Sequence, residues 1–289
     1  MPAPLVENAL AKVNLTLRVI GRRSDGYHDI ESLVAFADFG DRLTFSRGNE
    51  LKLSVHGLGA AQVGEGDDNL VFKAARALVA RRPKLTVGAF GLDKRLPVAA
   101  GLGGGSADAA AALRLLARVN NIAHSDPDLR AAAEATGADV PVCLDPRARI
   151  MRGIGEILSM PIALPALPAM LVNPGVAVAT KAVFARLKVS TVPGAPLYDN
   201  FAKPSDRDGL LRKLAAQTND LEGPAMALAP VIADVLAALR SLAGCDLVRM
   251  SGSGATCFAL FDSPAAASVA AKTLAGKYPK WWVQATTLR

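Results

Sequence analysis

The chain has 289 residues, of which 51% are hydrophobic and 20% are charged, and its formal net charge is +7. This length is enough for two domains, and this composition excludes a disordered chain. The positive charge suits an anionic small molecule or a nucleic acid. Aromatic residues make up only 5% of the chain, so rings for stacking the bases of a strand are poorly supplied.

The cysteines and histidines argue against a disulfide framework and against a zinc site. Cys143, Cys245 and Cys257 lie far apart, and the three histidines form no ligand cluster. The first residues do not resemble a signal peptide, and no apolar stretch reaches the roughly 20 residues of a membrane helix. We therefore expect a cytoplasmic protein with no membrane partner.

Residues 12–19 alternate between polar and apolar side chains, a pattern that predicts a half-buried strand. Lys12 and Asn14 lie on the polar face at its start. Further along that face, Thr16 and Arg18 are predicted to face water.

The next segment, residues 21–30, is rich in glycine, serine and aspartate and is predicted to be a loop. Tyr27 and His28 are neighbours within it. They are either a surface tyrosine beside a solvated histidine or part of a binding site, and composition alone favours neither interpretation.

Three strands and a helix are predicted between this loop and residue 96. The strands cover 30–39, 42–55 with a turn at 47–49, and 85–96, and the helix covers 71–80. Asn69 stands just before the helix as a candidate N-cap.

Four glycines then lie within residues 101–105, directly before a run of alanine and leucine that predicts a helix. The free N–H groups and the dipole at such a helix N-terminus favour an anion, and phosphate is the predicted ligand. The loop lacks the Gly-Lys-Ser/Thr of a Walker A motif, and a Rossmann fingerprint would need glycine at Ser106. A simple turn would need only one or two glycines. Ser106 can cap the helix, face a phosphate or Mg²⁺, or do both.

A second helix is predicted from residue 126 to 136, ending at Gly137. Asp139 follows, two residues before Pro141. It is either the N-cap of another helix or a functional carboxylate.

A stretch rich in proline and leucine over 161–168 predicts a domain boundary. We assign residues 1–162 to an N-terminal domain and residues 163–289 to a C-terminal domain. The C-terminal domain is predicted to alternate strands and helices in an α+β arrangement. Its predicted features are a helix over 180–187, a loop over 189–206, a helix from 219–222 to 243, a strand over 246–250 and a second glycine-rich loop over 251–256.

Three motifs together resemble the GHMP kinases, the superfamily of galactokinase, homoserine kinase and mevalonate kinase. They are Ala-Lys-Val-Asn-Leu at 11–15, the glycine loop over 97–108 and Gly-Ala-Asp-Val-Pro at 137–141. The triple glycine followed by Ser-Ala-Asp-Ala-Ala resembles the branch that phosphorylates the 2-hydroxyl of a cytidine diphosphate alcohol in the non-mevalonate isoprenoid pathway. The resemblance implies two α+β domains, a ribosomal-protein-S5-like one followed by a ferredoxin-like one that closes the substrate site.

The resemblance also implies ATP as cosubstrate, Mg²⁺ with it, and roles for particular residues. Lys12 and Asp139 are the implied catalytic residues. The implied nucleotide-binding residues are Asn69, Lys94, Pro97, Val98, Ala99, Ala100, Gly101, Leu102, Gly103, Gly104, Gly105, Ser106 and Ala107. The implied substrate-binding residues are Asn14, Tyr27, His28, Asp139, Thr180 and Phe184, with Tyr27 and Phe184 stacking on opposite faces of cytosine.

Two alternatives compete with this interpretation. One is another GHMP kinase, such as a homoserine kinase, which would give Tyr27 and His28 no evident role. The other is a basic RNA-binding module, which explains the charge but not the glycine loop. We expect a small-molecule substrate, no nucleic-acid partner, and a monomer or weak homodimer.

Overall fold

The computed structural model describes residues 3–187, 197–201 and 206–289. Within them the strands are β1 Leu5–Asn14, β2 Arg18–Arg22, β3 His28–Gly48, β4 Lys52–Gly57, β5 Val87–Lys94, β6 Arg149–Gly153, β7 Ile157–Leu158, β8 Leu167–Asn173, β9 Cys245–Met250, β10 Cys257–Phe261 and β11 Trp282–Leu288. The helices are α1 Ala60–Val63, α2 Leu70–Arg81, α3 Gly104–Val119, α4 Pro127–Thr136, α5 Val140–Leu144, α6 Thr180–Ala185, α7 Leu197–Phe201, α8 Arg207–Ala215, α9 Glu222–Leu228, α10 Val231–Arg240 and α11 Pro264–Lys277.

The chain forms two compact units that do not follow the predicted boundary at residue 162. The first unit consists of Met1–Ala11, Gly40–Val98 and Gly103–Pro146, and the second of Lys12–Phe39, Ala99–Leu102 and Arg147–Arg289. Residues 12–39 belong to the second unit because the start of β3 pairs with β6 of that unit. In this pairing Ile30 lies opposite Gly153. The assignment of residues 1–162 and 163–289 to the two family domains stays a prediction.

The first unit places helices against a small mixed sheet. Strand β5 pairs antiparallel with the end of β3 and parallel with β4. Helix α3 packs against α2, α4 and α5 and is buried along most of its 16 residues, nine of which are alanine or leucine. This buried helix gives the glycine-rich loop before it a rigid support.

The second unit contains an antiparallel sheet in the order β11, β8, β10, β9. All seven residues of β8 and all five of β10 are buried, as expected for central strands. Helices α10 and α11 pack on this sheet and contribute Ile232, Leu236 and Leu274 to its core.

Several predicted elements are confirmed, and others need correction. Helices α2 and α4 lie where predicted, with Asn69 and Asp126 as side-chain N-caps. The strand predicted over 30–39 and the first part of that predicted over 42–55 are instead the continuous strand β3, and the turn predicted at 47–49 lies where β3 ends, before β4. The helix predicted to run to residue 243 is broken into α9 and α10, because Pro230 cannot continue the α-helical hydrogen bonds.

The prediction of a water-facing strand surface after Asn14 was wrong. Strand β1 ends at Asn14, and Thr16 is only 1% exposed, because its hydroxyl accepts the Leu33 N–H at 3.0 Å. Arg18 is partly buried in an ion pair with Glu31.

The loop predicted over 189–206 lies largely outside the described residues, and its described part contains α7. Among the described helices, none is long and apolar enough to cross a membrane.

Candidate active site

The glycine-rich loop connects β5 to the buried helix α3. Gly101 and Gly103 have φ angles of +75° and +63°, which favour glycine, and Ala99 shares this left-handed conformation at +51°. Gly103 takes the N-cap position of α3 without a side-chain hydrogen bond, so Ser106 does not cap the helix as one interpretation of the sequence predicted. The first N–H groups of α3 therefore remain for an anion.

The second glycine-rich loop braces the first through Ser251. The Ser251 hydroxyl donates to the Gly101 carbonyl at 2.9 Å and accepts the Asn14 N–H at 3.1 Å. Nearby, the Thr256 N–H donates to the Ala100 carbonyl at 3.1 Å. A Cβ atom at Gly101 would lie 2.3 Å from the Ser251 carbonyl oxygen, so only glycine fits there.

Two predicted site residues, Lys12 and Asn14, lie beside this brace. Lys12 is 4% exposed, and its ammonium donates to the Asn14 side-chain oxygen at 3.3 Å. The Lys12 N–H also donates to the Leu102 carbonyl at 2.9 Å. Asn14 in turn donates to the Ser32 hydroxyl at 2.7 Å. The structure thus joins the predicted catalytic lysine to one part of the glycine loop.

In the first unit, Lys94 forms a buried charge cluster with two carboxylates that the sequence did not single out. Its ammonium bonds to Asp41 and, at 2.8 Å, to Asp108, and all three side chains are at most 2% exposed. Burial acts to lower the pKa of Lys94, but Asp108 and Asp41 outweigh it, and the net shift is upward. Lys94 is therefore a permanent cation.

The two carboxylates of this cluster cannot both ionise easily around one lysine. Burial raises the pKa of Asp108, Lys94 lowers it and Asp41 raises it further, to about 8. The Asp108 Oδ1 atom is also buried without a hydrogen-bond partner among the described residues, which suits a neutral acid better than a carboxylate.

This protonation state predicts how stability changes with pH. The folded chain holds the Asp108 proton up to about pH 8, whereas the unfolded chain releases it near its ordinary pKa of 3.8. Asp108 therefore contributes stability that declines as pH rises through this window, by up to about 1.4 kcal/mol per pH unit. Asp108→Asn stays neutral and should lack this decline, so between pH 6 and pH 8 the variant should gain stability relative to the unmodified chain in urea titrations. Parallel curves would contradict the neutral acid.

The aromatic residues predicted to hold cytosine are only partly brought together. The Phe184 ring stacks on His28, with centroids 5.0 Å apart, while Tyr27 is 60% exposed. Burial and the neighbouring Arg22 lower the pKa of His28, so its imidazole is neutral at pH 7. Thr180 is hydrogen-bonded to Ser253 of the second glycine loop at 2.9 Å.

The sequence allowed both Asn69 and Asp139 to be helix N-caps. In the structure only the Asn69 side chain makes a capping hydrogen bond. Asn69 accepts the Val71 N–H at 2.9 Å and caps α2. Asp139 is half-buried and precedes α5, but its side chain makes no capping hydrogen bond. The Asp139 carboxylate is therefore not needed to begin the helix.

Comparison with known proteins identifies the family. The model "GHMP kinases N terminal domain" matches residues 69–145, and the model "GHMP kinases C terminal" matches residues 200–280. The first match covers the glycine loop and Asp139.

Relatives that match over their full length indicate which family of GHMP kinases the chain resembles. The 4-diphosphocytidyl-2-C-methyl-D-erythritol kinase of Bradyrhizobium diazoefficiens is 56% identical, over 100% of this chain and 99% of that one. The kinase of the same name from Methylobacterium radiotolerans is also 56% identical, over 99% of both chains.

Solved structures confirm the predicted two-domain α+β fold. A 4-(cytidine 5'-diphospho)-2C-methyl-D-erythritol kinase superposes with a TM-score of 0.77 at 35% identity, over 98% of this chain and 99% of that one. A homoserine kinase from Cytophaga hutchinsonii reaches a TM-score of 0.74 at 18% identity, over 100% of this chain and 96% of that one, and shares the fold alone. The motifs, the fold and this identity over the whole length show that the chain belongs to the 4-diphosphocytidyl-2-C-methyl-D-erythritol kinase family of GHMP kinases.

Proposed function

We propose that the chain transfers the γ-phosphoryl group of ATP to the 2-hydroxyl of 4-diphosphocytidyl-2-C-methyl-D-erythritol. The observation that carries this proposal is the glycine loop, which runs into the N-terminus of a buried 16-residue helix. In the reaction the substrate oxygen bonds to the γ-phosphorus, the bond from that phosphorus to the bridging oxygen breaks, and ADP leaves. The hydroxyl proton passes to a base.

The loop residues 97–107 are proposed to bind the ATP phosphates. Phosphoryl transfer depends on alignment and charge stabilisation more than on covalent help from the protein. The N–H groups at the start of α3 and the positive end of its dipole supply both. Asn69 and Lys94 remain predicted nucleotide-binding residues near this loop.

Lys12 and Asp139 are proposed as the residues that act on the accepting hydroxyl. The Lys12 ammonium balances negative charge that develops during transfer. The Asp139 carboxylate, which does not cap α5, accepts the hydroxyl proton or holds the hydroxyl in line.

Mg²⁺ is proposed to accompany ATP. Among the described residues there is no group of three or more His, Cys, Asp or Glu side chains placed to hold a metal ion. Mg²⁺ usually keeps several waters and binds through substrate phosphates and one or two protein oxygens. Bound in this way, it would neutralise phosphate charge.

The proposed cytosine site contains Tyr27, His28 and Phe184. The Tyr27 ring is 60% exposed, so the core does not require it, and it is proposed to cover the cytosine. Tyr27→Ala should therefore raise the KM of the cytidine substrate, since an aromatic contact contributes about 0.5–1.5 kcal/mol beyond its burial. The KM of ATP should stay nearly unchanged in the same steady-state assay. Equal increases in both KM values would instead indicate a structural role.

A comparison of acceptors tests the proposed substrate. ADP release is measured with 4-diphosphocytidyl-2-C-methyl-D-erythritol, homoserine and mevalonate under identical conditions. We expect kcat/KM for the cytidine substrate to exceed the other two by roughly 10⁴-fold, the scale of rejection when polar groups of a site are left unpaired. Faster turnover of homoserine or mevalonate would refute the assignment.

A further inference from the structure

We propose that Asp41, Lys94 and Asp108 form a clamp of positioning residues that fixes both ends of the glycine loop in the geometry ATP requires. The inference rests on the proposed binding of ATP phosphates by this loop. It gives the Lys94 ammonium a different task from direct contact with the nucleotide.

The first end of the loop is held by Asp41. One of its carboxylate oxygens accepts the Arg95 N–H at 2.6 Å and the Leu96 N–H at 2.8 Å. These are the last two backbone donors before Pro97, which has none. The other oxygen of Asp41 bonds to the Lys94 ammonium. The fully buried Asp41 thus fixes the chain where it leaves β5 and enters the loop.

The second end of the loop is held by Asp108, in the second turn of α3. Its Oδ2 atom accepts from the Lys94 ammonium at 2.8 Å. A Cβ atom at Gly104, the first residue of α3, would lie 3.5 Å from that ammonium and 3.6 Å from the nearer Asp41 oxygen. The clamp therefore lies directly beneath the helix N-terminus that the phosphates are proposed to contact.

A general stabilising role explains this cluster poorly. Buried ion pairs often add no net stability over apolar residues of similar size, because their desolvation is costly. Here the three side chains join Lys94, which precedes the loop, to the backbone amides of Arg95 and Leu96 and to helix α3 after the loop. Two of the three N–H donors of Lys94 already serve Asp41 and Asp108. The arrangement fixes the loop and directs the ammonium inward.

Asp108→Ala and Asp108→Asn together test the clamp. Alanine removes the link to α3 and leaves Lys94 and Asp41 in place, whereas asparagine keeps an acceptor for Lys94. We expect Asp108→Ala to raise the KM of ATP roughly tenfold with little change in the KM of the cytidine substrate, because a displacement of about 1 Å can cost up to roughly 10²-fold. Asp108→Asn should restore most of the lost ATP affinity. An unchanged KM of ATP in folded Asp108→Ala would overturn the proposal.

Arg114→Met is the matched control for general destabilisation. Arg114 is a buried cation of the same helix, but it bonds to Glu7 and to the carbonyls of Asn8 and Cys143. The Arg114→Met substitution should lower the melting temperature without selectively raising the KM of ATP. A rise in the KM of ATP equal to that of Asp108→Ala would overturn the clamp. Gly101→Ala distinguishes failure of the clamp from failure of the loop as the phosphate site. If Gly101→Ala weakens ATP binding and Asp108→Ala has no effect, the clamp alone is refuted. If ATP binding is unchanged in Gly101→Ala, the loop is refuted as the phosphate site.

Discussion

Asp139→Asn is expected to lower kcat by roughly 10²–10⁴-fold while ATP still binds, the usual effect of removing a general base. Asparagine has almost the shape of aspartate but does not accept a proton at neutral pH. The Asp139 side chain does not cap α5, and thermal melting of the variant separates a fall in kcat from lost folding. Steady-state kinetics at saturating substrates and ATP titration give the two quantities needed.

Asp126→Asn provides a matched control in the same unit. Asp126 likewise precedes a helix with proline in its first turn, but its side chain accepts the Asp128 N–H at 2.9 Å and pairs with Arg82. The Asp126→Asn variant should be somewhat less stable and should keep the kcat of the unmodified chain. Full activity in Asp139→Asn, or an equal loss of kcat in both variants, would remove the base from the mechanism.

The Lys12→Ala variant is measured in the same kcat assay. It should lower kcat by a factor comparable to that of Asp139→Asn. If both residues act on one hydroxyl, the double variant should lose less than the product of the single losses, because groups that act as a unit are not additive.

Gly101→Ala is expected to lower kcat/KM for ATP by about 10²-fold, the cost of misplacing a binding group by roughly 1 Å. A Cβ atom there would lie 2.3 Å from the Ser251 carbonyl oxygen, and the φ of +75° disfavours alanine. The loop and its Ser251 brace must therefore shift apart. ATP titration and thermal melting separate lost affinity from lost folding.

Gly276→Ala is the control for this substitution. Gly276 lies in α11 with no atom within 4 Å of the position of its missing Cβ and without a positive φ. Alanine there should keep ATP kinetics and raise stability by about 0.5–1 kcal/mol, since it favours the helix. Native ATP kinetics in a folded Gly101→Ala chain would mean that the loop is only a turn.

Local sequence patterns predicted the parts of the site that depend on neighbours in the chain. The glycines before an alanine-rich run predicted both the loop and helix α3, and Asn69 before an apolar run predicted the cap of α2. In both cases the physical cause lies within a few residues of the pattern. Asp139 was singled out only by the resemblance of Gly-Ala-Asp-Val-Pro to the family motif, and its role stays a prediction.

The partners that fix this loop were not predictable in the same way. Asp41 lies inside the continuous strand β3, 53 residues from Lys94, and no local pattern distinguishes its carboxylate from a surface one. Ser251 reaches Asn14 across 237 residues. Thr16 was predicted to face water because alternating polar and apolar residues indicate a strand with two faces. The alternation does not show whether another part of the chain covers the polar face. Such contacts depend on tertiary packing.

The position of the phosphoryl group on the product tests the proposed reaction most directly. The chain is incubated with ATP, Mg²⁺ and 4-diphosphocytidyl-2-C-methyl-D-erythritol, and phosphorus and carbon magnetic resonance locate the new ester. The proposed reaction predicts one new phosphate on the oxygen of carbon 2 and one ADP released per product. A phosphate on another hydroxyl, or ADP released without a phosphorylated product, would contradict it.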